Sequence, residues 1–89
     1  MSKRIRYPFV TTVGHEILIN ANDMDYKFDN SFVQCKRVEL PNEYNPEDTA
    51  IALMIILTTG QQVLFCKDFE EREAIIEALY HQGICAKFT

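Results

Sequence analysis

The sequence predicts an α+β fold, a small and mainly antiparallel β-sheet of about four to six strands with one C-terminal α-helix packed on it. Apolar runs alternate with short turn-forming segments over the first two thirds of the chain. One stretch near the C-terminus instead spaces its apolar residues as an α-helix does. The chain has 89 residues, 47% hydrophobic and 25% charged. This length and composition indicate a single domain over residues 1–89.

The strongest strand pattern is a hairpin in the second half of the chain. Residues 50–57 are branched and apolar, and residues 62–66 form a second apolar run. The segment 58–61 between them contains Gly60, which has no Cβ and can therefore adopt the positive φ that a tight turn requires. The two runs are predicted to pair as antiparallel strands.

The helix is predicted over residues 68–82. Asp68 is a suitable N-cap residue, and Glu71 three positions later completes a capping-box pattern. Gly83 suits the position that follows the last turn.

The helix has an apolar face and an acidic face. Its apolar face is expected to carry Phe69, Ile75, Ile76 and Leu79, with Arg72 on its flank, and its exposed acidic face to carry Glu73 and Glu77. We expect Ile75, Ile76 and Leu79 to pack on the sheet that carries residues 53, 55 and 57, or on their alternate partners, because a strand that is apolar on both sides needs cover on more than one face.

Further strands are predicted before the hairpin. They cover residues 6–13, 16–20, 24–28 and 32–40, with a turn at Gly14 and His15 and a break over 20–23. Apolar and polar residues alternate poorly in 32–40, whereas 41–48 is a polar loop that we expect to be exposed. Residues 84–88 fit either a short strand or a docked tail.

Two hairpins have similar sequences. Residues 10–19 and 57–65 both contain Thr-Thr, then a glycine, two polar residues and an apolar triplet. Either general hairpin chemistry or an internal repeat accounts for this.

The charge and the cysteines limit the class of protein. The net charge is −4, which disfavours nonspecific binding to nucleic acid. The three cysteines are odd in number and have no C-x-x-C spacing, so we expect reduced thiols rather than a disulfide framework. Pro8 and the threonines after it leave no signal-peptide core, and no apolar run approaches the roughly 20 residues of a membrane span. We therefore expect a soluble, cytoplasmic protein.

No catalytic or metal site is predicted. His15 and His81 have no partner at a familiar ligand spacing. Cys85 lies four positions after His81, but Gly83 should end the helix between them. Glu70 and Glu71 lie at the start of the helix, where the positive end of the helix dipole favours carboxylates, so they need not form a catalytic acid cluster. We therefore predict that the chain is not an enzyme and needs no cofactor.

The order of these features resembles that of the flagellar FlbD/SwrD-type proteins, small accessory proteins of bacteria and phages. The matching residues are Gly14, Ile17, Ile19, Asn20 and Met24, then Ile55, Leu57, Thr58, Thr59, Gly60, Val63, Phe65 and Lys67, followed by Glu70 and Glu71. The resemblance covers about half of the chain and departs at 32–48, where this chain is longer. It implies a non-enzymatic protein that acts by contacting a larger assembly. The strand and hairpin portion also resembles, more weakly, that of LytTR-type DNA-binding domains. This chain lacks the basic closing segment that such domains use on DNA.

The predicted function is therefore a protein-binding accessory or regulatory module, with its partner unspecified. The candidate partner contacts are Tyr44, Tyr80, Lys3, Arg4 and Arg6. Exposed tyrosines are favoured at interfaces, although ordinary surface tyrosines also occur. The three basic residues form either a solvated tail or a short arm that contacts an acidic partner. An uncovered strand edge would also permit a homodimer.

Two alternatives come from other classes. A nucleic-acid-associated regulator would use the N-terminal basic residues together with Lys36 and Arg37 as one basic face. An unrecognised small hydrolase would need a concave pocket with convergent polar groups.

Overall fold

The computed structural model of the chain describes residues 9–45 and 47–84. Its elements follow in this order: β1 Val10–Val13, β2 Glu16–Ala21, β3 Met24–Asp29, β4 Phe32–Pro41, β5 Thr49–Leu57, β6 Gly60–Cys66 and α1 Phe69–His81. The α+β class is confirmed. The predicted start of the first strand at 6–8, the tail at 85–88 and the basic residues Lys3, Arg4 and Arg6 lie outside the described residues.

The six strands form two antiparallel sheets rather than one. The first sheet has the order β1-β2-β3 and the second has the order β4-β5-β6. Each sheet is a meander in which every strand pairs with the next strand along the chain. The two similar hairpins are the first pair of one meander and the last pair of the other, so they do not occupy equivalent places.

Helix α1 covers one face of both sheets. One buried cluster joins Val10, Ile17 and Ile19 of the first sheet to Leu53, Ile55 and Leu57 of the second. Ile75, Ile76 and Leu79 of the helix belong to the same cluster. The predicted docking of this helix face on β5 is confirmed.

The turns follow the predicted local chemistry. Gly14 has a φ of 64° in the turn between β1 and β2, and Gly60 has a φ of 148° after the turn between β5 and β6. Asn22 and Asp23 both adopt positive φ values, 54° and 61°, between β2 and β3. Asparagine and aspartate tolerate this left-handed region better than other non-glycine residues, and two such residues in sequence suit a tight hairpin.

The helix caps lie where the sequence predicts them. The Asp68 carboxylate accepts a hydrogen bond from the Glu71 N–H at 2.8 Å. At the other end, the Gly83 N–H donates to the Tyr80 carbonyl and the Ile84 N–H donates to the Leu79 carbonyl, which is a Schellman motif. Glu71 departs from a standard capping box, because its carboxylate accepts from the Lys67 N–H at 2.6 Å.

One part of the predicted apolar face is wrong. Phe69 is 57% exposed, whereas Arg72, expected at the flank, is 5% exposed and belongs to the buried side of the helix. The ring of Phe69 lies beneath the guanidinium of Arg72, 5.1 Å from its centroid, and so packs on the charge instead of the core.

Within the described residues, no helix is long and apolar enough to cross a membrane.

Candidate functional site

The central strand β5 is apolar on both of its faces. Leu53, Ile55 and Leu57 point into the core, so the residues between them point to the opposite side of the sheet. We call this opposite side the outer face, formed by Val38 of β4, by Ala52, Met54 and Ile56 of β5, and by Val63 of β6. None of these side chains belongs to the core cluster or packs against it.

The outer face of the first sheet has a different character. The residues of β2 and β3 that point away from the core are mostly charged or amide side chains: Glu16, Leu18, Asn20, Asp25, Lys27 and Asp29. Leu18 is the one apolar residue among them. The second sheet therefore exposes several apolar side chains on its outward side, whereas the outward apolar residues of the first sheet are Leu18 and, on β1, Val13.

The described elements make two layers. The shortest dimension of the molecule is 18 Å. Packed layers lie roughly 10 Å apart, so this dimension accommodates one sheet layer and one helix layer. Among the described residues, no third layer covers the outer face. Val38, Met54, Ile56 and Val63 are partly exposed there, whereas Ala52 is fully buried between its neighbours.

A groove continues the outer face at its end nearest the loop between β4 and β5. We call it the loop groove. It has a volume of about 470 Å³ and includes Leu40, Tyr44, Ala50 and Phe65 in its lining. Tyr44 is 92% exposed, and Leu40 and Phe65 are also exposed. Apolar and aromatic side chains therefore surround an open depression at the surface.

The loop that carries Tyr44 is held by its own hydrogen bonds. The Asn42 side chain accepts from the N–H groups of Tyr44 and Asn45, at 2.8 and 3.3 Å. The Asn45 side chain accepts from the Glu47 N–H, and the backbones of Asn42 and Asp48 bond across the base of the loop at 3.0 Å. These side-chain turns fix the backbone on both sides of Tyr44.

The charged groups around the loop groove are acidic. Glu43 and Asp48 line the groove, and Glu47 lies beside Asp48 in the chain. Among the described residues, none of these three carboxylates forms an ion pair. The groove therefore combines an apolar lining with an uncompensated negative rim.

Tyr80 lies elsewhere. It is 58% exposed and lines a second groove, between α1 and β4, together with Arg37, Glu73 and Glu77. The two candidate tyrosines therefore do not form one surface.

Arg37 and Glu73 connect β4 to α1 in this second groove. The Arg37 side chain donates two hydrogen bonds of 2.8 Å to the two carboxylate oxygens of Glu73. These bonds lower the pKa of Glu73 and raise that of Arg37. Glu73 and Glu77 are both exposed on the helix, as predicted, and Glu73 in addition pairs with Arg37.

The proposed basic face is also wrong in its described part. Lys36 and Arg37 are successive residues of β4, and strand geometry points them to opposite sides of the sheet. Arg37 lies against the helix and is paired with Glu73. Lys36 lies on the outer side, so the two cations do not share one face of the sheet.

Arg72 is a buried cation that joins three elements. Its Nη1 donates to the carbonyl oxygens of Val38 and Ala52, at 3.1 and 3.3 Å, and to the Glu39 carboxylate at 2.6 Å. Its Nε is buried without a hydrogen-bond partner and lies 3.8 Å from Glu73 Oε2. Arg72 therefore bonds the β4–β5 ladder from the helix side, which is a structural role.

The thiols and histidines do not converge. Cys66 is a free, buried thiol whose pKa is raised to about 12, first by burial and then by the negative charge of Glu71. His15 lies in an exposed turn and His81 ends the helix. Within residues 9–45 and 47–84, no group of three or more His, Cys, Asp or Glu residues could hold a metal ion. Cys85 lies outside the described residues.

Comparison with protein-family models, with curated proteins and with solved structures finds no match to the chain. The resemblance to FlbD/SwrD-type proteins therefore stays a prediction.

Sequence reasoning found Tyr44 but not its surroundings. An apolar second side of β5 was expected from the sequence, because 50–57 is apolar at every position. The residues of β4 and β6 that complete the face depend on strand register, which the sequence does not specify.

Proposed function

We propose that the chain is a non-enzymatic, protein-binding accessory module that acts on a larger assembly, and that it binds through the loop groove. The observation that carries this proposal is the placement of Tyr44, 92% exposed, beside Leu40 and Phe65 in an open groove. A tyrosine held in this way offers a large contact area and a hydroxyl at low entropic cost, and tyrosine is enriched among the residues that dominate binding energies.

The groove also indicates the chemistry of the partner. Glu43, Glu47 and Asp48 have no cation partner among the described residues, so they favour a partner segment that carries Lys or Arg. Leu40 and Phe65 favour an apolar side chain beside that charge. The matching segment therefore has a large apolar residue next to a basic one.

The cellular context of this proposal comes from the sequence alone. A cytoplasmic location agrees with the expected reduced thiols, and a flagellar or phage-encoded assembly agrees with the family resemblance. The nucleic-acid alternative receives no support from the separated positions of Lys36 and Arg37.

The test is affinity capture with three forms of the tagged protein: the wild-type chain, Tyr44→Ala and Tyr80→Ala. Each recovered protein is identified by mass spectrometry, purified and titrated by calorimetry. Tyr44→Ala is expected to weaken binding by about ten-fold or more, as truncation of a central interface tyrosine does. Tyr80→Ala, which changes an exposed tyrosine in the other groove, is the matched control and should bind like the wild type.

Two results would contradict the proposal. One is equal binding by the wild type and Tyr44→Ala, and the other is loss of binding only in Tyr80→Ala. A labelled DNA duplex at about 50 mM salt should show no binding, since the groove repels phosphates.

A further inference from the structure

We propose that the outer face is the interface of a homodimer, in which the β4-β5-β6 sheets of two copies of this chain pack face to face. The proposal names a different occupant from the loop-groove proposal and is tested at Met54, which does not line the groove, although Leu40, Ala50 and Phe65 of the groove lie on the same side of the sheet. It also differs from dimerisation through a strand edge, which the sequence suggested.

The outer face is chemically suited to a second copy of itself. Met54 and Ile56 form its centre. Met54 lies between Lys36 and Val63 of the neighbouring strands, and Ile56 lies between Gln34 and Gln61. Lys36, the cross-strand neighbour of Met54, is the one charged residue at these rows, and its long flexible stem allows the ammonium group to turn toward solvent when an identical surface approaches. Two apolar sheet faces can stack roughly 10 Å apart with interdigitating side chains, as the two sheets of a β-sandwich do.

The area of the face places it among small, weak interfaces. Strand β5 has 9 residues and β6 has 7. At about 3.4 Å per residue and about 4.8 Å per strand, the three strands offer roughly 400 Å² of planar area per copy. Side-chain relief brings the area buried by two copies to about 1,000 Å², the lower limit for a specific interface. A reversible dimer with a dissociation constant of about 1–100 µM is therefore expected.

The strand edges are less suited to this role. Lys36, Arg37, Glu39 and Pro41 lie along the outer strand β4, and charges and proline oppose the addition of another strand. On the other edge strand, β6, the N–H of Phe65 already donates to the Tyr26 hydroxyl at 3.3 Å. The face remains the larger apolar surface.

The experiment is sedimentation equilibrium of the full chain over roughly 1–500 µM, a range that brackets the expected dissociation constant. The wild type is compared with Met54→Glu and with the matched control Leu18→Glu. Both positions are partly exposed, lie on the outward side of a central strand and have a lysine as cross-strand neighbour, Lys36 for Met54 and Lys27 for Leu18. Circular dichroism melts establish that each variant is folded.

We expect Met54→Glu to raise the dissociation constant at least ten-fold and Leu18→Glu to leave it unchanged. Should Met54→Glu fail to fold, Val63→Glu on β6 replaces it. A monomeric wild type throughout the range would overturn the proposal, as would a dimer that persists in the outer-face variant or that is lost equally in Leu18→Glu.

Salt dependence of the wild type provides a second measurement that needs no variant. Each copy carries a net charge of −4. Added salt screens the repulsion between copies, so an apolar dimer should strengthen as salt rises. Weakening of the dimer by salt would indicate an interface made by charges and would contradict the proposal.

Discussion

Arg37 and Glu73 form a two-pronged ion pair that joins the edge strand β4 to helix α1, with both N–O distances at 2.8 Å. The pair connects residues 36 positions apart in the chain. It is partly exposed, and its geometry restrains how far the helix can slide along the sheet.

Replacing Glu73 tests this pair. Glu73→Ala is expected to lower the free energy of unfolding by about 0.5–1 kcal/mol in urea melts, the range for a well-formed exposed pair. The control Glu77→Ala, one helical turn away and without an ion pair among the described residues, should change it by less than about 0.5 kcal/mol. Equal effects of the two substitutions would show that the pair contributes no stability.

The same pair predicts a pH dependence. The pKa of Glu73 is lowered from its usual 4.5 by the Arg37 hydrogen bonds. The stability that the pair contributes is therefore present above pH 4.5 and is lost as the pH falls through the lowered pKa. Urea melts of the wild type and Glu73→Gln should differ at pH 7 and converge as the pH falls progressively below 4.5. A difference that grows on acidification would contradict this assignment.

Arg72 should be replaceable by an apolar residue of similar length but not by a small one. Arg72→Ala removes three hydrogen bonds and leaves a cavity under the helix, so we expect a loss of about 2–4 kcal/mol. Arg72→Met fills the space and removes the unpaired Nε, and we expect a loss below about 1.5 kcal/mol. Thermal melts of both variants measure the contrast. Similar losses of stability in Arg72→Ala and Arg72→Met would show that the charge of Arg72, rather than its packing, determines its contribution to stability.

Leu79 tests whether the helix is docked as described. It has no exposed surface and belongs to the cluster that both sheets share. Leu79→Ala should lower the free energy of unfolding by about 2–5 kcal/mol in urea melts. Tyr80→Ala, at the next position but exposed, is the control and should stay within about 1 kcal/mol of the wild type.

Cys66 should resist alkylation in the native protein. Its pKa is raised to about 12, so little thiolate forms at pH 8, and the side chain is also buried. Mass spectrometry of peptides after iodoacetamide treatment should find Cys66 unmodified without urea and modified in urea. Because the unfolded thiol loses its proton near pH 9 while the folded thiol keeps it, stability should fall as the pH rises above 9. Rapid native modification would show that the site opens readily.

The locally encoded features were predictable from the sequence. The Asp68 cap, the Gly83 terminus and the turns near Gly14 and Gly60 depend on residues within a few positions of one another. Such chemistry operates whatever the rest of the chain does. The α+β class follows from those same local patterns.

Features that depend on tertiary packing were not predictable. The poor alternation in 32–40 has a physical cause, a register shift between Phe32 and Gln34 that inverts the inward side of β4. The burial of Arg72 depends on the carbonyl groups of Val38 and Ala52, which are brought together only by strand pairing. The division into two sheets likewise cannot be predicted from the hydrophobic pattern of the sequence.

The position of helix α1 against both meanders has a consequence for the order of folding. Both meanders pair neighbouring strands and can form from short-range contacts, which close quickly. The Glu71 carboxylate accepts from the Asn22 N–H at 3.0 Å, across 49 positions of the chain, and the helix lies against both sheets. We therefore expect docking of α1 on the first sheet to be the slow, long-range event, and a chain cut before Asp68 to leave two meanders with their inner faces open to aggregation.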